Sequence, residues 1–272
     1  MGPNLNCHLD TPKQQVHSRT DRIRVLSGTR GVSMGEHWFE LATPEHFWMV
    51  RRFEILKKLC GARLKTNPRC CEIGCGNGVL QAQIEAEYGI AVDGFDLHLG
   101  ALEQNISSKG HLYYYDVLEE NLEFKHRYDT IFLFDVIEHI GEEVEFLRAC
   151  QFHLHPAGAI IIHVPARPEL FSRYDVAAGH VRRYTLKQLE RLAGLVNMRV
   201  AERTYWGFPL YPLLLARKFL VRRGSDSSVL RAGFSPKAEA VNSLLLWLSR
   251  AELIPQRVLG TSVLAVFENA SP

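Results

Sequence analysis

Residues 71–80 read Cys-Glu-Ile-Gly-Cys-Gly-Asn-Gly-Val-Leu, with glycines at three alternate positions after a short apolar run. This is the pattern of a buried strand that ends in a tight turn and opens into a helix. Such a turn exposes backbone N–H groups, and glycine removes the Cβ atoms that block positive φ and close approach. Gly74, Gly76 and Gly78, with Cys75 between the first two, can therefore lie against a flat polar ligand; a ligand-free turn is the alternative. The dinucleotide fingerprint requires Gly-x-Gly-x-x-Gly, but Val79 stands at the third glycine's place and Gly78 comes one residue early, which favours a nucleoside other than NAD. Four acidic positions follow the same logic. Glu72 closes the first strand. Asp96, with Leu97 beside it, closes the second strand 18 residues past Gly78, close to the spacing of a carboxylate that accepts from both ribose hydroxyls. Asp93 competes for that role, but Phe95 after it places it inside the strand pattern. Asp116, followed by Val117, ends a third strand and on residue type alone could equally cap a helix. Asp135-Val136-Ile137-Glu138-His139-Ile140 follows a continuous apolar run, at the carboxyl end of a strand where ligands collect in open parallel sheets. His139 and a second histidine, His180, are the candidates for a general base, because histidine as a residue type suits that role near neutral pH.

The elements that must position these groups can be read from periodicity. A helix is expected over 38–59, with Thr43 as cap, Pro44 at its first position and Gly61 as its end. Aromatic and basic residues there (His37, Trp38, His46, Phe47, Trp48, Arg51) could form a lid or pack as core. Strands are expected at 90–95, 111–115 and 128–134, the last buried on both faces because its apolar run is unbroken. Further strands are expected at 159–164, 199–206 and 261–267. Thr185 and Gln188 form a capping box for a helix whose inner face is Leu186, Leu189, Leu192 and Leu195. Residues 1–30 read as a mobile arm and 31–272 as one domain. An insertion at 207–260 carries apolar runs at 208–215 and 244–248, with Arg217, Lys218, Arg222 and Arg223 adjacent. Its apolar faces have three destinations: the sheet or a partner subunit, a greasy acceptor, or a membrane surface.

The 272 residues carry 32 Lys+Arg against 30 Asp+Glu. That balance gives no nucleic-acid signature and points to a small-molecule partner. Six cysteines without Cys-x-x-Cys spacing argue for a reduced, cytoplasmic setting and against a zinc site, and no metal is expected. No signal-peptide core or long uncharged apolar segment is evident.

The acid-x-Gly-x-Gly-x-Gly pattern at 72–78 resembles motif I of the class I S-adenosylmethionine-dependent methyltransferases. Asp-Val-Ile-Glu-His-Ile at 135–140 resembles a signature of the group that includes ubiquinone-biosynthesis O-methyltransferases. Gly-His-x-Arg-x-Tyr-Thr at 179–185 recurs in that group, and His155-Pro156-Ala157-Gly158 is similar to its Leu-x-Pro-Gly-Gly turn, with Ala157 replacing a glycine. The resemblance implies a Rossmann-like, doubly wound α/β fold: a seven-stranded sheet with an antiparallel last strand and a helical insertion between strands six and seven. It implies S-adenosyl-L-methionine as cofactor and S-adenosyl-L-homocysteine as product. Glu72 would then approach the methionine part, the glycines would underlie ribose and tail, Asp116 and Val117 would meet the adenine, and Asp135 and Val136 would flank the sulfonium. Glu138, His139, His180, Arg182 and Tyr184 would face the acceptor. The expected reaction is methyl transfer, preferably to oxygen, on an apolar or lipid-like small molecule. A non-catalytic cofactor-binding scaffold and a nucleoside-cofactor oxidoreductase are the competing readings; the absence of a Tyr-x-x-x-Lys pair argues against the latter.

Overall fold

The computed structural model describes residues 22–28, 42–220, 229 and 238–270. Its strands are β1 (Ile23–Val25), β2 (Cys70–Ile73), β3 (Val92–Asp96), β4 (Leu112–Tyr114), β5 (Tyr128–Phe134), β6 (Leu154–Pro165), β7 (Met198–Trp206) and β8 (Ser262–Asn269). They form one sheet in the order β1-β4-β3-β2-β5-β6-β8-β7. The first six are mutually parallel, and β8 runs antiparallel between β6 and β7. The helices are α1 (Phe47–Leu64), α2 (Val79–Tyr88), α3 (Leu99–Glu103), α4 (Glu143–His153), α5 (Arg173–Ala177), α6 (Leu186–Leu195), α7 (Tyr211–Leu220) and α8 (Glu239–Ser249).

The unbroken apolar run of β5 is explained by a core on each face of the sheet. Ile131 and Leu133 join one buried cluster with Phe95, Leu147 and Leu189, while Phe132 and Phe134 join another with Ile55, Leu56, Leu80 and Ile84. On α6, Thr185 and Gln188 form the expected capping box. Leu186, Leu189 and Leu192 are buried, but Leu195 is exposed at the helix end.

Several expectations are corrected. α1 starts at Phe47, capped by His46 through an Nδ1 that accepts from Trp48 N at 3.2 Å, so Thr43 and Pro44 lie outside it. It continues past Gly61, where an added Cβ would lie 3.1 Å from Tyr88 Oη; the glycine serves close helix packing instead of termination. His37 and Trp38 lie outside the described residues, as do Arg222 and Arg223. Part of the expected mobile arm forms β1, an eighth strand that pairs Ile23 with Leu112 and Val25 with Tyr114. Arg22 reinforces that edge by donating to Ser107 O at 2.8 Å. Three residues are too few to carry a periodicity signal, so β1 was invisible locally.

The insertion at 207–260 contributes α7 and α8. Asn242 on α8 accepts from Phe47 N at 2.8 Å and donates to Glu45 O at 3.0 Å, tying the insertion to the start of α1. The outward faces keep Leu213, Phe219, Leu244 and Trp247 exposed. Cys60, Cys70, Cys71, Cys75 and Cys150 are buried free thiols. Among the described residues, no helix is long and apolar enough to cross a membrane.

Candidate functional site

The chain winds from β2 through β3 to β4 in one direction and from β5 to β6 in the other, so the crevice between the ends of β2 and β5 is the topological switch point. A cleft opens there, lined among others by Met49, Arg52, Glu72, Gly74, Gly76 and Asp135.

Its floor is the glycine turn, with φ of +74° at Gly74, +53° at Gly76 and +76° at Gly78. The turn does not offer the free donors expected of it. Gly74 N and Cys75 N donate to Phe95 O at 2.7 and 3.1 Å, Gly78 N donates to Cys75 O at 2.9 Å, and Gly76 N donates to Asp96 Oδ2 at 2.7 Å. What the glycines supply is clearance. A Cβ at Gly74 would lie 2.6 Å from Val136 Cγ2, and one at Gly78 would lie 2.3 Å from Asn105 Oδ1. Gly74→Ala is therefore expected to weaken ligand binding about ten-fold, from a left-handed backbone cost of about 1–2 kcal/mol added to the Val136 clash. Titration calorimetry checks this: Gly74→Ala/Val136→Ala should recover the steric part and leave the backbone part.

Glu72 stands over the turn. It is buried, and its Oε2 has no hydrogen-bond partner. Burial pushes its carboxyl up to about 8; nearby Arg52 opposes the shift, and Asp96 and Asp135 add to it. A buried carboxyl with an unmatched oxygen suits a ligand that carries positive charge.

Asp135 sits at the mouth of β5 with φ +58°, a left-handed conformation in which Asp is tolerated better than most residues. Its Oδ2 accepts from Arg52 Nη1 at 2.7 Å and its Oδ1 contacts His163 Nδ1 at 2.9 Å. Burial alone would raise its carboxyl; His163 and then Arg52 override that and hold it below the usual carboxylate range. His163 is fully buried in β6, and its Nε2 has no partner.

Beyond Asp135, a one-turn 3-10 helix (Ile137–His139) carries Glu138 and His139. Glu138 is fully buried with neither carboxylate oxygen hydrogen-bonded, and burial followed by repulsion from Asp135 pushes it well above the ordinary range. His180 Nε2 lies 4.0 Å from Glu138 Oε1. The rings of His139 and His180 meet edge to face with centroids 4.9 Å apart. Burial, and then His180, press His139 down to about 4, so its ring is neutral at pH 7.

The other expected site residues are placed as follows. Asp96 accepts from Gly76 N and, through Oδ1, from His98 N at 2.8 Å, bracing the turn from the β3 side. Burial raises its carboxyl despite those bonds. Leu97 packs against the small cluster of Cys75, Leu102 and Tyr114. Asp116 caps the turn Val117–Glu119 through Leu118 N at 3.0 Å, and its own N donates to Ser27 Oγ at 2.8 Å. Val117 is buried in the main core, and Leu118 carries the exposed aliphatic surface of that turn. Asp93 is held within the sheet by Tyr128 Oη at 2.9 Å and His111 N at 3.0 Å. Neither arginine of the 179–185 loop pairs with Glu138. Arg182 binds Glu143 at 2.7 Å and Arg183 binds Asp175 at 2.7 Å. Tyr184 is buried and donates to Glu143 Oε2 at 2.5 Å, so Arg182 and Tyr184 brace the loop; like Glu138, His139 and His180, they lie outside the lining of the cleft itself.

Two residues of the site escaped sequence reasoning. Arg52 was overshadowed by Arg51, which instead binds Glu54 and Glu252 at 3.1 and 3.3 Å. His163 left a readable signal: a lone polar ring inside an apolar strand needs a buried partner.

A family model described as "Methyltransferase domain" matches residues 46–202. A ubiquinone biosynthesis O-methyltransferase from Escherichia coli O6:H1 is 24% identical over 229 residues, covering 75% of this chain and 91% of that protein. A SAM-dependent methyltransferase from Archaeoglobus fulgidus shares the fold with a TM-score of 0.54 at 16% identity, over 86% of this chain and 97% of that one. Phosphoethanolamine N-methyltransferase 2 of Haemonchus contortus, solved with S-adenosyl-L-methionine, gives a TM-score of 0.51 at 20% identity, over 81% of this chain and 53% of that one. With its switch-point cleft and its cation-seeking carboxyl, the chain belongs to the methyltransferase-domain family.

Proposed function

We propose that the enzyme methylates a hydroxyl oxygen on a small, largely apolar acceptor. The observation that carries this reading is the pair His139 and His180 beside Asp135, with His139 kept neutral so that a ring nitrogen offers its lone pair to the acceptor hydroxyl near neutral pH. The likeness to an enzyme named for O-methylation supports oxygen as the target atom. The exposed apolar residues of α7 and α8 support an acceptor with an apolar body or tail.

In this reading the cofactor supplies a methyl group on a positively charged sulfur, already activated as a leaving group. The chain's own work is alignment and exclusion of water. Glu72 gives the cationic methionine part a buried countercharge, and Gly74, Cys75, Gly76 and Gly78 give it clearance. Asp96, with Leu97 at its edge, is assigned to the ribose hydroxyls, where each carboxylate oxygen keeps a lone pair beyond its backbone bond. Asp116 is assigned to the adenine amine, with aliphatic cover from the turn that follows. Val136 walls the side where the methyl is handed over, and Glu138, His139 and His180 meet the acceptor.

The test is methyl transfer from labelled cofactor to a panel: an alkylated phenol or catechol, its short polar counterpart, and a polar primary amine. Labelled ether should form on the alkylated hydroxyl compound in preference to the others. Label found only in the amine or only in the polar compound would overturn the assignment.

A further inference from the structure

Glu138, His139 and His180 each turn one ligating atom to a common point, with the three atoms within 4.8 Å of one another. From this geometry we propose that they form a binding site for one divalent transition cation, of the zinc, manganese or iron(II) class, just beyond the Asp135 end of the cleft.

The tautomers are fixed by what the other ring nitrogens touch. His139 Nδ1 lies 3.1 Å from Gly179 O. A carbonyl only accepts, so Nδ1 carries the proton and Nε2 keeps its lone pair. His180 Nδ1 lies 3.1 Å from Asp175 Oδ1, a carboxylate that also takes Arg183 Nε at 2.7 Å. That contact likewise leaves the lone pair of His180 on Nε2, the atom 4.0 Å from Glu138 Oε1. A histidine that donates its far N–H to a carbonyl or carboxylate is the usual support for a metal-bound imidazole. Asp175 is itself fixed by accepting from Ser172 N at 2.8 Å, so the support is rigid.

The third donor is unexplained without a cation. Glu138 is fully buried, and both of its oxygens lack partners. A carboxyl so placed must be protonated or paired. Two imidazoles and one carboxylate suit zinc, manganese or iron(II) better than magnesium or calcium. Bonds of about 2.0–2.2 Å would draw the donors to roughly 3.0–3.6 Å from one another. The needed closure is on the order of 1 Å, within reach of a one-turn helix and a loop. Three protein donors leave at least one coordination position for water or an acceptor oxygen. At that position the cation would lower the pKa of a bound hydroxyl. The role in catalysis therefore rests on the O-methylation reading, whereas binding of the cation does not.

The experiment uses chelator-treated full-length protein titrated with Co²⁺, read by visible absorption, with Zn²⁺ competition and no acceptor present. One Co²⁺ per chain should bind, displaced by Zn²⁺ and not by Mg²⁺. His139→Ala and Glu138→Gln should each weaken it about ten-fold or more, while cofactor binding, measured in parallel, reports that the variant is folded. If Glu138→Gln fails to bind cofactor, His139→Ala at its part-exposed ring decides alone. Absence of stoichiometric Co²⁺ binding, or wild-type affinity in His139→Ala, overturns the site. Neither result touches the acceptor panel, so failure of the cation site and failure of O-methylation are told apart.

Discussion

Glu72→Gln is expected to lower cofactor affinity by about 100-fold, the loss of one buried charge-assisted contact of about 2–3 kcal/mol, and to erase the pH dependence of binding. The carboxyl is 3% exposed with one oxygen unmatched, and burial raises it to about 8. At pH 7 the empty cleft thus holds it protonated, and a cationic ligand must drive the proton off. Binding favours the ionised form, so affinity should rise with pH up to about 8 and level above it. Calorimetry at pH 7 in two buffers of different ionisation enthalpy should reveal close to one proton released per cofactor bound in the wild type and none in the variant. Equal affinity and equal proton release in both proteins would remove Glu72 from the site. The same shift governs the free protein. An acid whose folded-state value is raised favours the fold most when protonated, so this group's contribution declines as pH climbs from about 4.5 to about 8.

Asp135→Asn is expected to cost about 3–5 kcal/mol of stability at pH 7, the range for breaking one side of a buried ion pair. Asparagine tolerates the left-handed backbone at φ +58° as well as aspartate does, so the loss reports charge and not strain. What it strands is Arg52, buried at 6% exposure, together with the contact to His163 Nδ1. The pH dependence runs opposite to that of Glu72. Despite burial, His163 and Arg52 hold the Asp135 carboxyl below its unfolded value of 3.8, so its stabilisation is present above about pH 4 and is lost as the pH falls further. Denaturant melts should show the gap between wild type and variant closing in acid. Identical melts at pH 7 would show that Arg52 finds equal compensation elsewhere.

What the sequence disclosed was local. The glycine turn, the strand-terminal acids Asp96 and Asp135, and the Thr185–Gln188 capping box are each set by residues within a few positions of one another. The double burial of β5 was legible because a sheet covered on both sides needs an unbroken apolar run. What stayed hidden depended on contacts between distant segments. Arg52 reaches Asp135 across 83 positions, and Asp116 N reaches Ser27 across 89. Arg182 and Tyr184 share a motif with His180, yet Glu143 draws them away from the cleft while His180 turns toward Glu138. Spacing along a loop does not say which side chains share a face. The turn itself shows the limit: glycine spacing located it correctly, but that the N–H groups of Gly74, Cys75 and Gly76 are consumed by Phe95 and Asp96 follows only from the register of β2 against β3.

Because those amides are already satisfied, the cradle under the cofactor is set when the chain folds and does not await an occupant. Loading and release then demand no refolding of the loop, and the entropy of ordering it is settled once per molecule instead of once per catalytic cycle.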